Sequence, residues 1–538
     1  MTRLRAWRNG RGAERMAARP IRLASSFLTV GVWTLLSRVF GFARDIMIAL
    51  FLGAGPVAEA FLVAFSLPNM FRRFFAEGAM NTAFVPLYAK KLEGQENATE
   101  FARDAFSGLA SILIVFTLIA QLAMPWLVFA MASGFVGDAR FDLAVSYGRI
   151  AFAYILFISL AALASGVLNA SGRFAAAAAA PVLLNMILVA ALYAGHLMVS
   201  SGDVANAQEV QGLILAWGVP IAGVAQLVLL WVAAARAGVR LIPRRPRLTP
   251  EVKRLAIIAA PAMLAGGVMQ INLLVGRQVA SFFDGAIAWL SYADRLYQLP
   301  LGVVGIAIGV VLLPELSRRL RAEDATGGRD ALSRAGEISM ALTLPAAVAL
   351  IVISVPLVSV LFQRGAFGAD DTAETALALA VYGAGLPAFV MQKVLQPLYF
   401  AREDTKSPFR FAVVAMVVNA AVAIGLAFVL GFVGAAIGTT VAAWVMVWLL
   451  RRGVKPMGEV AQFDARYHRR LWRIALAAIG MGGVLWAAGL VLGPSLGTEG
   501  WRYLALVLLV GLGLISYYLF GRLLGAFNLS EIRGALRR

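Results

Sequence analysis

Charged side chains interrupt segments of this chain that are otherwise apolar enough to cross a bilayer. Five arginines and four acids lie in such segments, namely Arg38, Arg44, Arg72, Arg73 and Arg295 with Asp45, Glu59, Glu77 and Asp294. A charge at bilayer depth costs about 2.5 to 3.5 kcal/mol on insertion scales, so such groups normally face a watery cavity or a partner. Arginine suits phosphate, because its planar guanidinium binds two oxygens and stays charged. We therefore expect a site for a doubly or triply negative group, with the five arginines as ligands and the four acids as supporting charges.

Internal ion pairs that clamp helices together are the competing interpretation of the same residues. Arg38 and Asp45 are seven residues apart and share a face of a continuous helix. Arg44 would point elsewhere unless the helix bends, and Gly41 is where we expect a bend. The sequence leaves open which arginines bind a ligand and which pair with acids.

The second charged segment contains a proline. Pro68 removes a backbone donor and predicts a kink just before Arg72 and Arg73. Arg73 and Glu77 have the i,i+4 spacing of a helical ion pair. The kink is expected to set the direction of the arginines that follow it.

Composition excludes a soluble globular protein. The 538 residues are 61% hydrophobic and 14% charged, with a mean hydropathy of +0.80, which is typical of a multi-pass membrane protein. There is no cysteine and there are only two histidines, so we expect no metal site and no cofactor. No acidic metal-binding motif, nucleophile elbow or Walker A sequence is present, so we expect no catalytic residues and no ATP binding. The sequence predicts a transporter, not an enzyme, and coupling to the membrane potential or to an ion stays open.

The helices that must position these charges can be counted from hydropathy. A span needs about 20 mostly apolar residues, which predicts an all-α polytopic membrane protein with fourteen transmembrane helices. The predicted spans are 25–52, 57–90, 104–131, 143–170, 176–199, 213–236, 254–283, 286–318, 333–362, 374–401, 409–430, 433–450, 471–492 and 502–525.

Lysine and arginine fall almost entirely in the loops on one side. This predicts that both termini are cytoplasmic, with basic tails at residues 1–24 and 527–538. The net charge of +19 then reflects contact with anionic membrane lipids, and nucleic acid is not an expected partner.

An internal repeat divides the chain into two pseudo-symmetric lobes of six helices. Residues 50–70 match residues 281–302, and Asn185 loosely corresponds to Asn419. Duplicated halves with a site between them are typical of transporters. The repeat predicts an N-lobe at 25–243 and a C-lobe at 250–456, joined by a linker near Arg244 to Thr249, with two additional C-terminal helices at 468–526.

Several of these motifs together resemble one family. They are SRVFGFARD from Ser37, AFLVAFSLPNMFRRFFAEGAMNTAFVP from Ala60, LNASGRF from Leu168 and SYADRLYQLPLGVVGIAIGVVLLPELS from Ser291. The chain is thereby identified as a member of the MurJ (MviN) family of bacterial lipid II flippases, within the multidrug, oligosaccharidyl-lipid and polysaccharide exporter superfamily. The resemblance covers nearly the whole chain and is weakest in the last two helices.

The resemblance implies fold, cargo and mechanism. Members have two six-helix lobes around a cationic cavity, and the last two helices form a groove for the polyprenyl tail. They move undecaprenyl-pyrophosphate-linked disaccharide-pentapeptide, lipid II, from the inner to the outer leaflet of the bacterial cytoplasmic membrane by alternating access without ATP, for cell wall synthesis. The family's cavity residues correspond to Arg38, Arg44, Arg72 and Arg295 here, and peptidoglycan synthesis proteins are conceivable partners.

Three departures and three alternatives accompany this interpretation. Ser66 replaces a frequent lysine, Ala177 replaces a frequent proline, and the second half lacks the acidic site proposed to bind Na⁺ in some relatives. An exporter of another polyprenyl-linked saccharide and a drug exporter would share the fold, although a cavity for cationic drugs should favour acids. A scaffold for wall-synthesis enzymes that transports nothing is the third alternative.

Overall fold

The structure, a computed structural model, describes residues 23–73, 83–94, 96–200, 206–247 and 249–527; inside the helices, the side chains of 23–28, 261–273, 303 and 305–311 are not described. The described chain is helical and contains no β-strand. It divides into two compact units, Met1–Leu274 and Val275–Arg538. The predicted Glu77, and with it the predicted pair with Arg73, lies outside the described residues.

The first unit is a bundle of helices held together largely by contacts between helices that are distant in sequence. Its helices are α1 (Leu23–Leu52), α2 (Pro56–Arg72), α3 (Val85–Glu93), α4 (Ala98–Leu122), α5 (Met124–Met131), α6 (Ala139–Ala151), α7 (Tyr154–Ala170), α8 (Ala175–Ser200), α9 (Ala207–Arg236) and the greater part of α10 (Pro250–Ala280). Helix α8 packs against both α1 and α9, α9 also packs against α7, and α2 packs against α6. Phe71, Phe116 and Phe152 form a cluster of ring contacts in its core.

The second unit repeats the pattern and adds a helical hairpin. Its helices are α11 (Ala286–Arg321), α12 (Ala325–Val352), α13 (Ser354–Phe362), α14 (Ala369–Phe400), α15 (Lys406–Leu430), α16 (Val433–Gly453), α17 (Ala465–Leu496) and α18 (Arg502–Leu523). Helix α14 packs against α11, α12 and α16, and α15 packs against α16. Helices α17 and α18 pack against each other, and α17 also packs against α12.

Ten helical segments of the described chain are long and apolar enough to cross a membrane. These ten correspond to ten of the fourteen predicted spans. The other four predicted spans correspond to α1, α2, α10 and α11. Each of these four spans includes residues that are not fully described, so the test was not applied to their whole length; α1, α2 and α11 carry the predicted site residues. The chain is therefore a multi-pass membrane protein, and the total of fourteen spans stays a prediction.

Three predicted spans are interrupted. The span at 104–131 is divided between α4 and α5, the span at 143–170 between α6 and α7, and the span at 333–362 between α12 and α13. Pro125 stands in the first turn of α5, where the missing N–H costs nothing. Hydropathy averages over such breaks, so they were not predicted.

Candidate substrate-binding site

Arg44 is the most completely enclosed of the predicted arginines. Helix α1 carries Arg44 and Asp45 side by side, each 7% exposed. The Arg44 guanidinium donates to Asp45 Oδ1 from Nε at 3.0 Å and from Nη2 at 2.7 Å. Its carbon lies 5.4 Å from the centre of the Phe65 ring on α2. The charge of Arg44 is therefore paired, and the side chain is held in one direction.

Asn185, on α8, completes the support of Arg44. Arg44 Nη1 donates to Asn185 Oδ1 at 2.9 Å, and Asn185 Nδ2 donates to the carbonyl oxygens of Ser37 and Pro181 at 3.1 and 3.2 Å. One amide thus connects the α1 backbone, the Arg44 side chain and α8. Because the amide is bonded at both ends, its orientation is defined.

Gly41 allows this approach of α8 to α1. A Cβ atom at Gly41 would lie 3.3 Å from Asn185 Nδ2, tighter than nearly all real contacts. Helix α1 continues without interruption through Gly41. Gly41 therefore allows a close contact between the two helices, the bend expected there stays a prediction, and Arg44 is an ion-pair partner of Asp45.

Arg72 and Arg44 both interact with one buried tyrosine, Tyr154. Arg72 is half-buried in the last turn of α2, after Pro68, which stays within the helix. The Tyr154 hydroxyl interacts electrostatically with both Arg72 and Arg44 and donates to Gln226 Oε1 at 3.1 Å. The structure therefore brings two of the predicted arginines to one buried tyrosine.

Arg38 and Arg73 are exposed. Arg38 forms no ion pair with any side chain that the structure describes, which leaves its guanidinium accessible to a ligand. It precedes Arg44 by six residues, about 9 Å along a helix of 1.5 Å rise. The first unit therefore combines a paired, enclosed arginine with an accessible one on the same helix.

Glu59 has a partner that the sequence did not indicate. It is 1% exposed near the start of α2, and Arg140 of α6 donates to Glu59 Oε2 from Nη1 at 3.0 Å. Arg140 Nε also donates to Asp138 Oδ2 at 2.6 Å, and its guanidinium lies 4.6 Å from the centre of the Phe135 ring. Arg140 lies between the predicted spans 104–131 and 143–170, so the α2–α6 ion pair was not predicted.

Asp138, immediately before the first residue of α6, is the second acidic partner of Arg140. Burial raises the pKa of Asp138, but hydrogen bonds from the backbone N–H and side chain of Arg140, together with its positive charge, lower that pKa below its usual value overall. Glu59 and Arg72 are thirteen residues apart on α2, about 20 Å at 1.5 Å per residue. Glu59 therefore anchors the opposite end of α2 from Arg72.

Asp294 and Arg295 lie half-buried on α11 in the second unit. Gln298 Nε2 donates to Asp294 Oδ2 one turn away. The Tyr382 side chain interacts electrostatically with Asp294 and Arg277, and its ring centre lies 5.5 Å from that of Tyr297. The second unit therefore also places a buried tyrosine among charged side chains, as Tyr154 is placed in the first.

Asn185, Tyr154, Gln226 and Arg140 were not predicted as part of the site. The correspondence of Asn185 with Asn419 in the repeat was the one available signal, and both side chains are buried, at 7% and 2% exposure. The other contacts join residues more than 70 positions apart. Local spacing contains no information on such contacts.

The fold and the apolar helices are those of a multi-pass membrane protein. A solved structure of a multidrug resistance MATE family transporter of the MOP superfamily, in an inward-facing conformation, aligns with a TM-score of 0.62 over 81% of this chain and 99% of its own, at 16% identity. A structure of the lipid II flippase MurJ in an inward closed conformation aligns with a TM-score of 0.73 over 92% of this chain and 99% of its own, at 24% identity. At these identities the two likenesses concern the fold.

Sequence similarity specifies the family. The sequence model described as lipid II flippase MurJ matches residues 48–510. The probable lipid II flippase MurJ of Rhizobium meliloti is 49% identical over 75% of each chain, and that of Vibrio cholerae is 34% identical over 96% of this chain and 98% of its own. The chain belongs to the MurJ family of lipid II flippases, which confirms the resemblance of the sequence motifs.

Proposed function

We propose that this chain is a lipid II flippase, which moves the undecaprenyl-pyrophosphate-linked cell wall precursor from the inner to the outer leaflet of the bacterial cytoplasmic membrane. Membership in the family supports the cargo, and it makes the chain a transporter and not an enzyme. The observation that carries the proposal is the arginine cluster of the first unit, where Arg44 is fixed by Asp45 and Asn185, and Arg44 and Arg72 both interact with Tyr154.

A pyrophosphate needs several donors held in place before it arrives. A guanidinium has five N–H donors. Arg44 uses three of them, on Nε, Nη1 and Nη2, to bind Asp45 and Asn185. The remaining two can donate to a phosphate oxygen. Arg38 is exposed on the same helix, and Arg72 is half-buried on α2. We assign pyrophosphate binding in the first unit to Arg38, Arg44 and Arg72, with Arg73 as a further ligand. For Arg295, in the second unit, the assignment rests on the sequence resemblance alone. Asp45 and Asp294 act as orienting partners.

We further propose that both termini are cytoplasmic. The loops assigned to that side contain nearly all of the loop lysines and arginines, which is the distribution of cytoplasmic loops. The α17–α18 hairpin is the proposed site of the polyprenyl tail, and alternating access driven by the membrane potential or a coupled ion, without ATP, is the proposed mechanism.

Depletion in a bacterium that relies on this chain tests the cargo. We expect lipid II to accumulate in the inner leaflet, where an externally added enzyme that cleaves lipid II cannot reach it. Re-expression of the chain should restore cleavage. Normal cleavage throughout depletion would contradict the proposal, and accumulation of a different polyprenyl-linked saccharide would favour the alternative exporter.

A further inference from the structure

A groove separate from the arginine cluster opens where α7 ends, α8 begins and α9 ends. Its volume is about 750 Å³, within the range of small-molecule sites, roughly 300 to 1,000 Å³. Phe174, Val228 and Val232 line its apolar part, and Arg173 and Arg236 line it with two guanidinium groups. We call it the Arg173–Arg236 groove, and it lies entirely in the first unit.

The LNASGRF motif builds one wall of this groove. Helix α7 ends at Ala170, and Gly172 follows with φ +71°, a left-handed conformation that glycine adopts without strain. The Arg173 N–H then donates to the Leu168 carbonyl at 2.9 Å, which closes the helix end. The turn brings Arg173 to the groove, where Arg236 ends α9.

Both arginines of the groove are available to a ligand. Arg173 and Arg236 are exposed and form no ion pair with any residue in the described ranges. Arg244, eight residues beyond Arg236, instead binds Asp104 at 2.6 Å and Glu100 at 3.2 Å. No described carboxylate therefore neutralises the two arginines of the groove, whereas Arg244, nearby in sequence, is neutralised by two.

Charge and shape together fit one kind of occupant. Val228 and Val232 are 49% and 43% exposed on α9, one helical turn apart, and lead along the helix toward Arg236. An acyl chain on the valines would bring an attached phosphate to the two guanidinium groups. The loop after α9 contains Arg240, Arg244, Arg245 and Arg247, so this end of the helix faces the cytoplasm in the orientation proposed above.

We propose that the Arg173–Arg236 groove binds an anionic glycerophospholipid of the cytoplasmic leaflet. The phosphate lies between Arg173 and Arg236, and one acyl chain lies along Val228 and Val232. The inference rests on the proposed orientation and does not depend on the cargo. The groove shares no lining residue with the Arg44 cluster, so the phospholipid and the transported lipid occupy different sites.

Binding of phosphatidylglycerol to the purified full-length chain in neutral detergent tests the site, with native mass spectrometry as the measurement. We expect the double variant Arg173→Gln/Arg236→Gln to bind phosphatidylglycerol on the order of 100-fold more weakly than the wild type, since each charge-assisted hydrogen bond to the phosphate contributes about tenfold or more. The double variant Arg245→Gln/Arg247→Gln removes the same charge from exposed positions outside the groove and should bind as the wild type does.

Three results would overturn the proposal. The first is unchanged phosphatidylglycerol binding in Arg173→Gln/Arg236→Gln, and the second is an equal loss in both double variants, which would indicate net charge alone. The third is competition between the two lipids: purified lipid II displaces phosphatidylglycerol from the wild type but not from Arg173→Gln/Arg236→Gln. That result would make the groove a cargo site. Because the first two measurements contain no lipid II, their failure is distinct from failure of the proposed function.

Discussion

Asn185 determines how Arg44 is presented, because it binds both the guanidinium and the α1 backbone. The Arg44–Asp45 pair alone joins adjacent residues of one helix and constrains nothing between helices. Asn185 adds the connection to α8 through two hydrogen bonds between the helices, and a third, to the Pro181 carbonyl, lies within α8. A buried pair whose orientation is set from a second helix is a suitable ligand for a pyrophosphate, because the cost of ordering the side chain is met before binding.

Replacing Asn185 with alanine should destabilise the first unit. The change removes three hydrogen bonds and leaves the Arg44 Nη1 donor without its acceptor, at an expected cost of about 1 to 3 kcal/mol. Unfolding of the purified protein in mixed detergent micelles measures the change. Asn169→Ala is the control, since its amide makes only a 3.5 Å contact with Ser165 Oγ on the same helix. Equal losses in the two variants would contradict the bridging role of Asn185.

The charged residues were predictable as residue types but not as partners. Arg44, Asp45 and Arg72 were expected in the site, and the structure pairs Arg44 with Asp45 and places Arg44 and Arg72 within electrostatic reach of Tyr154. The sequence left open which arginine pairs with Asp45, because adjacent residues of a helix point in different directions and only the side-chain conformation of Arg44 allows the contact. Glu59 pairs with Arg140, eighty-one positions away, and no local spacing reports such a contact.

At the scale of elements, glycines set how closely helices of the second unit pack. A Cβ atom at Gly438 of α16 would lie 2.8 Å from Asn419 Oδ1 and 2.9 Å from the Asn419 carbonyl oxygen on α15. At Gly434, one turn earlier, it would lie 2.8 Å from the Ala427 nitrogen. Small residues four apart allow backbones of membrane helices to approach closely. This pair makes α15 and α16 a tight hairpin.

Gly438→Ala should loosen that hairpin. The new methyl group cannot be accommodated without moving the α15 backbone, and overpacking of this kind costs about 1 to 3 kcal/mol. The same detergent unfolding measurement applies. In Gly425→Ala the new Cβ meets no described atom within 4 Å, so stability should stay equal or rise slightly with helix propensity. A Gly438→Ala protein as stable as Gly425→Ala would refute the close contact.

Helix positions were easier to predict than helix interruptions. The spans predicted at 409–430 and 433–450 are found as Lys406–Leu430 and Val433–Gly453, because long apolar runs leave few alternatives in a membrane. The breaks between α6 and α7 and between α12 and α13 fall in equally apolar sequence. They depend on packing against neighbouring helices, which hydropathy does not contain.

At the scale of the whole molecule, the position of the charges within a helix distinguishes α1. Arg38, Arg44 and Asp45 lie in the interior of α1, whereas Glu100, Arg103 and Asp104 lie in the first two turns of α4. Carrying such charges into a bilayer is costly, so their position in the interior of a helix indicates function more than stability. The central claim is that these arginines bind the pyrophosphate of lipid II.

Lipid II flipping by arginine variants tests that claim most directly. The measurement is cleavage of lipid II by an externally added enzyme, in cells whose only flippase is the variant.

Arg44→Lys keeps the charge beside Asp45 but loses the planar guanidinium group. Arg38→Ala removes an exposed guanidinium that has no ion-pair partner among the described residues. We predict that both variants reach wild-type levels in the membrane and lose at least about tenfold in flipping, as each loses an oriented phosphate contact of about 1.5 to 3 kcal/mol. Arg245→Ala, at an exposed position outside the cluster, should flip normally. Wild-type flipping by both Arg44→Lys and Arg38→Ala would contradict the assignment of the cluster to the pyrophosphate.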